Sequence, residues 1–250
     1  MKTLFATALS LALLAGGTAA AQSTSLTRSE VTTIRAKLVA VQQAMGADPA
    51  GYVKESEDFS LPTDFNAAQG GKFWPITSSI RLRYTDKAST EGRANAEKAT
   101  QDFQTKYAAA AASGNVEALT KMVEEMQKLQ AAAMTPPVKT EPMDVNVQLN
   151  MNPTVGIDPA AVVLERAGVI ALREKNVSSD RGSVTVYVDP VALKNSSDLA
   201  KIELRTAQDG VANKIGVYHV VIQLNGAVSD LEAWAKSFDY GAMLGAIDAQ

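Results

Sequence analysis

Three prolines within seven residues, Pro136, Pro137 and Pro142, divide this chain into two stretches whose apolar residues recur with different periods. Proline lacks the backbone donor that helix and sheet interiors require, and it restricts the residue before it, so neither element runs through such a cluster. Before the cluster, Ala, Gln, Lys and Glu dominate and apolar residues fall three and four apart, the helical spacing. After it, Val and Ile alternate with polar residues, the strand spacing. The fold class expected is α+β: an N-terminal helical hairpin or three-helix region, then a mainly antiparallel sheet domain with helices on one face. The expected boundaries are a helical domain over 22–134, a proline-rich linker over 135–143 and a sheet domain over 144–250.

The first helix has the clearest local signal. Thr27 stands three residues before Glu30, the spacing of a capping box, and Leu26 can staple onto Val31. Val31, Ile34, Leu38, Val41 and Met45 then form one apolar stripe, and Gly46 ends the helix. Two more helices are expected at Thr90 to Ala112 and Val116 to Met134, joined by Ser113-Gly114-Asn115 and folded as an antiparallel pair. Their stripes carry Ala96, Ala99, Phe103, Tyr107 and Ala110 on one and Val116, Leu119, Val123 and Met126 on the other. Three such helices can bury one another within one chain; a dimer through the Val31 to Met45 stripe is the competing reading.

Between the first helix and that pair lies a long connection, 46–89, in which Ile80, Leu82 and Tyr84 alternate with Arg81 and Arg83 as in a half-buried strand. Beyond the prolines, strands are expected at Val145 to Met151, Val169 to Arg173, Ser183 to Val188, Ala200 to Thr206 and Gly216 to Leu224. Asp158-Pro159 predicts a short helix running to Gly168, with Asp as cap and Pro at the first helical position. Asp189-Pro190 repeats that pair at the end of a strand. Ser229 and Glu232 predict a second capping box, opening a terminal helix that carries Leu231, Trp234 and Phe238.

Residues 1–21 have the form of a signal peptide: Met1-Lys2, an apolar run from Leu4 to Ala15, and small residues at Ala19 and Ala21, with cleavage expected after Ala21. The expected location is the periplasm, with secretion as the alternative. Without Lys2, the chain carries 23 basic and 27 acidic residues, a net charge of −4, which offers no basic surface for nucleic acid. Beyond the leader, nothing approaches the ~20 apolar residues of a membrane-spanning helix.

The chain has no cysteine and one histidine, which removes thiol catalysis and thiolate metal sites and leaves little for histidine-based ones. The common nucleophile-elbow, phosphate-loop, dinucleotide and zinc-helix patterns are absent. His219 sits in a strand pattern and reads as structural or surface. The acidic pairs Glu57-Asp58 and Glu124-Glu125 resemble solvated charge, and Asp144, Asn146, Asn150 and Asn152 a polar sheet face rather than a calcium cage. No cofactor or metal is expected.

Six of the thirteen aromatic residues beyond the leader fall between Tyr52 and Tyr84, together with Arg81 and Arg83. Tyr52, Phe73, Trp74, Arg81, Arg83 and Tyr84 are therefore the expected binding surface, since aromatics and arginines supply large contact area and planar recognition. The competing reading makes these aromatics filler for a core that alanines leave thin. The functional expectation is an exported, non-enzymatic protein that binds an envelope protein or a small apolar ligand. The alternative is a carboxylate-based hydrolase of cell-wall sugars, which requires an acid of raised pKa in a cleft.

Overall fold

The computed structural model describes residues 23–113, 142–151, 154–175, 181–205 and 210–248, and between these Glu117, Lys121, Val123, Glu124 and Gln127, all five helical. The leader, most of the Val116 to Met134 helix and most of the proline cluster lie outside the described residues.

The framework is one antiparallel sheet of seven strands: β2 (Tyr52–Ser60), β4 (Ser78–Asp86), β5 (Met143–Leu149), β7 (Val162–Arg166), β8 (Val169–Lys175), β9 (Arg181–Val188) and β11 (Val220–Ala227). Across the sheet they run β2-β4-β5-β11-β9-β8-β7. Two short pairs flank it: β1 (Ser23–Ser25) with β3 (Asp64–Asn66), and β6 (Thr154–Gly156) with β10 (Lys201–Glu203). Strict alternation puts Ile80, Leu82, Tyr84, Val145, Val147, Val184, Val186, Ile222 and Leu224 on one buried face. Three helices cover that face: α1 (Arg28–Ala44), α3 (Val228–Lys236) and α4 (Tyr240–Gly245). On the other face, Ile170, Tyr187 and Val221 pack under Leu193, Ile202 and Leu204 in a smaller core. Both edge strands carry a bulge, between Lys54 and Ser56 in β2 and between Val162 and Leu164 in β7, a device that discourages further strand pairing.

The Thr27–Glu30 capping box forms as its spacing predicts, with the Glu30 amide donating to the Thr27 hydroxyl at 3.3 Å and the Thr27 amide to the Glu30 carboxylate at 2.9 Å. From Ile34 onward the α1 stripe is buried, Leu38 completely, with Val31 half-buried, and it packs against β4, β5 and α4. The Lys37 ammonium and the Val217 amide both donate to the Asp248 carboxylate, at 2.6 and 2.7 Å, fastening α1 to the end of the chain.

Two expectations are corrected. Among the described residues no N-terminal three-helix region forms, because α1 packs on strands and the connection 46–89 supplies β2, β3 and β4 to the sheets. The strands flanking the proline cluster, β4 and β5, are hydrogen-bonded neighbours, Tyr84 opposite Met143. The second correction is at Asp158-Pro159. Asp158 caps and Pro159 begins a turn as expected, but only the 3-10 turn Pro159–Ala161 follows before β7. The β-branched Val162 and Val163 favour a pleated strand over a helix interior.

Candidate functional site

The structure separates the six residues expected to form one binding surface. Tyr84 and Tyr52 are core residues, 3% and 7% exposed; Tyr84 meets the Trp234 ring edge-on at 5.4 Å, and Tyr52 donates its hydroxyl to Asp230 at 3.0 Å. Burial pushes Tyr52 up to about 12, with the Asp230 carboxylate adding to the effect. Arg81 and Arg83 alternate with Tyr84 on β4 and so point from the opposite face, where Arg83 pairs with Glu55 at 3.3 Å. Phe73 lies elsewhere again, bridged to Val211 and packed edge-on against Phe65 at 5.3 Å, with the Lys214 ammonium 3.9 Å over the Phe65 ring. Trp74 is 44% exposed. The arginines share a polar sheet face with Asp144, Asn146 and Gln148, but none of the aromatic four joins them there.

The carboxylates bear on acid catalysis. Lys214 and the Thr27 amide hold Glu30 below the usual range, and Lys54 and Gln42 do the same for Glu57. Burial would raise Asp248, yet Lys37 and the Val217 amide outweigh it and leave its carboxyl low. Each is fixed as an anion, the reverse of what a general acid needs.

The most heavily buried charges are structural. Asp189 is fully buried; one oxygen accepts from the Val191 and Ala192 amides at 2.9 and 3.0 Å, and the other from the Arg205 amide at 2.9 Å. The Arg205 guanidinium approaches the same carboxylate at 2.9 Å and donates to the Tyr218 carbonyl. Nearby, His219 is 1% exposed with Nε2 2.7 Å from the Met151 carbonyl. A carbonyl only accepts, so Nε2 carries the proton, while Nδ1 is buried with no well-formed hydrogen bond among the described residues.

Burial lowers the His219 pKa, against the opposing pull of the Met151 carbonyl and Asp189. The unfolded chain, at about 6.5, therefore takes up its proton before the folded one does. The stability present above that pH is lost as the pH falls toward the folded value, at up to about 1.4 kcal/mol per pH unit. His219→Gln should flatten this part of the stability profile between pH 7 and 5, as measured by urea unfolding at each pH; an unchanged profile would remove His219 as its source.

The feature with the clearest capacity for interaction is α2 (Lys87–Ser113), which leaves the sheet where β4 ends. The Asp86 carboxylate caps its start, accepting from the Ser89 amide at 2.8 Å and the Ser89 hydroxyl at 2.9 Å. Because β4 and β5 are paired, residues 87–142 are the connection of a β-hairpin, a place that ordinarily takes about two to five residues. A helix of this length extends roughly 40 Å. Among the described elements its main contact is with β4 at its base, and its side chains are otherwise largely exposed. Phe103 and Tyr107 stack one turn apart, centroids 6.1 Å and planes 23°, with Tyr107 46% exposed. Helical spacing identifies this segment and its stripe; the expected pairing with the Val116 to Met134 helix lies outside the described residues.

No protein-family description, curated protein or solved structure matches this chain. Among the described residues, no helix is long and apolar enough to cross a membrane.

Proposed function

We propose that this chain is an exported, non-enzymatic interaction protein of the bacterial periplasm that engages a helical partner through α2. The observation that carries the reading is a 27-residue helix, set into a hairpin connection and exposed along most of its length. Its alanines at 108–112 favour the helix by propensity. The stacked Phe103–Tyr107 pair beside small Ala96 and Ala99 is what a second helix would cover, because small residues allow close approach and an aromatic pair supplies the buried area. The signal-peptide pattern of residues 1–21 supports an envelope setting for such a contact. The low-lying carboxylates favour this reading over hydrolysis of wall sugars.

A photo-crosslinking residue in place of Tyr107, expressed in the exporting cell, is expected to give one discrete adduct on irradiation, with none from the same group at exposed Glu174 on β8. Adducts from both positions, or from neither, would contradict an arm-specific partner.

A further inference from the structure

A cavity of about 310 Å³ opens between the last turn of α1 and strands β2 and β4, at the rim of the helix-covered face. Tyr84 and Trp234 form its aromatic side, 5.4 Å apart and nearly perpendicular. Its polar side carries Gln42, Asp48, Lys54 and Glu57. Three of these are tied together: the Lys54 ammonium lies 2.6 Å from a Glu57 oxygen, and the Gln42 amide donates to that same oxygen at 3.1 Å. Lys54 thereby spends its charge on Glu57, which Arg35 also offsets.

Asp48 is left as the carboxylate without a cation among the described residues. It faces the Tyr84 hydroxyl, and its negative charge, after burial, helps keep that phenol protonated. The last turn of α1 carries no basic residue, so the negative end of its dipole also looks toward the cavity uncompensated. Two aromatic rings at the cavity wall, 3% and 6% exposed, one carboxylate without a cation among the described residues and a helix C-terminus form an environment that lowers the energy of a cation and offers little to an anion. At ~30 Å³ per water-sized group, the volume holds about ten such groups, the size of a small alkylamine.

We propose that this cavity binds the ammonium group of a small organic amine, with Asp48 as its counter-ion and Tyr84 and Trp234 against its alkyl chain. The site is separate from α2 and does not depend on the function proposed for that helix.

The test uses the full mature chain with Trp74→Phe, which leaves Trp234 as the one tryptophan. Its fluorescence is followed during titration with pentylammonium and, as a neutral control, pentanol. Saturation by pentylammonium with a Kd of about 1 mM is expected from six heavy atoms, with several-fold weakening in Asp48→Asn and little effect in Glu174→Gln, which lies on β8 outside the cavity. Raising the salt should weaken pentylammonium and leave pentanol unchanged, a readout on the unaltered site should Asp48→Asn disturb the fold. No saturation by pentylammonium, equal binding of pentanol, or salt-independent affinity would overturn the assignment.

Discussion

Asp189→Ala is expected to destabilise the protein by about 3–5 kcal/mol, the cost typical of breaking a buried ion pair from one side. The carboxylate accepts three backbone amides and faces the Arg205 guanidinium, which is itself only 13% exposed. Alanine leaves those three donors without their acceptor and the guanidinium without its counter-charge, so the penalty is desolvation as much as lost attraction. For a chain of this size the melting temperature should fall by roughly 6–20 °C. Two comparisons separate the causes. Asp189→Asn keeps one of the two acceptor oxygens, removes the charge and turns an NH2 toward a backbone donor, so it should recover only part of the alanine loss. Asp189→Ala with Arg205→Met should recover part of the loss, because the second change removes the stranded charge. Chemical unfolding of the four proteins measures all of this, and a loss below about 1 kcal/mol, the scale of an exposed pair, would show that Asp189 does not hold this layer together.

The second large effect is expected at Asn150, where the chain leaves β5. This residue is 5% exposed and has φ +58°, in the left-handed region that side chains other than Asn, Asp and Gly enter at a cost of about 1–2 kcal/mol. Its amide nitrogen donates to the Ile76 carbonyl at 2.9 Å and the Gly216 carbonyl at 2.8 Å, and its oxygen accepts from the Tyr218 amide at 2.8 Å. One side chain thus joins the approaches to β4 and β11 to the exit of β5. Asn150→Ala should cost about 3–4 kcal/mol, from unsatisfied buried groups plus the backbone penalty. Asn150→Gly relieves the backbone and not the hydrogen bonds, so it should be about 1 kcal/mol milder. Equal losses in the two variants would mean that the left-handed conformation contributes nothing.

What could be read from the amino acids divides along physical lines. Strands β5, β9 and β11 are marked by alternating Val, Ile and Leu, and β8 by the apolar run Val169-Ile170-Ala171-Leu172, which is buried on both faces. Strand β2 carries no such mark: at the sheet edge, Lys54, Glu55, Ser56, Glu57 and Asp58 are all exposed, so there is no alternation to detect. The same edge position explains why the helical domain did not materialise. With β2 and β4 unrecognised as one hairpin, the α1 stripe had only other helices to pack on, whereas the sheet takes it. The Ser229–Glu232 signal misleads in a related way. The chain runs from β11 directly into α3 at Ala227, which has no side-chain cap, and Ser229 falls inside the helix. Leu231, Trp234 and Phe238 are buried regardless, because their spacing rather than the cap sets the inward face.

The predicted binding set failed to converge for a reason present in its own alternation. Neighbouring residues of a strand point to opposite faces, so Arg83 and Tyr84 could not share a surface. Composition drew attention to the right segment, and geometry distributes it among the core, a polar sheet face and a loop. The Asp-Pro pairs at 158 and 189 were legible as strand exits, and both carboxylates do accept the amides that follow. The pairing of Asp189 with Arg205 was not, since nothing local marks a contact across sixteen positions.

The central claim is that residues 87–142 serve a partner and not the fold. Replacing them with Gly-Gly would join β4 to β5 through the four-residue connection Thr85-Asp86-Gly-Gly, a length that antiparallel neighbours accept. Native mass spectrometry of the intact and excised proteins, each purified gently from the same expressing cells, compares them directly. The account predicts that both are folded and that the intact chain alone carries an added protein mass lost on denaturation. A bare monomer in both samples, or the same added mass on both, would contradict it.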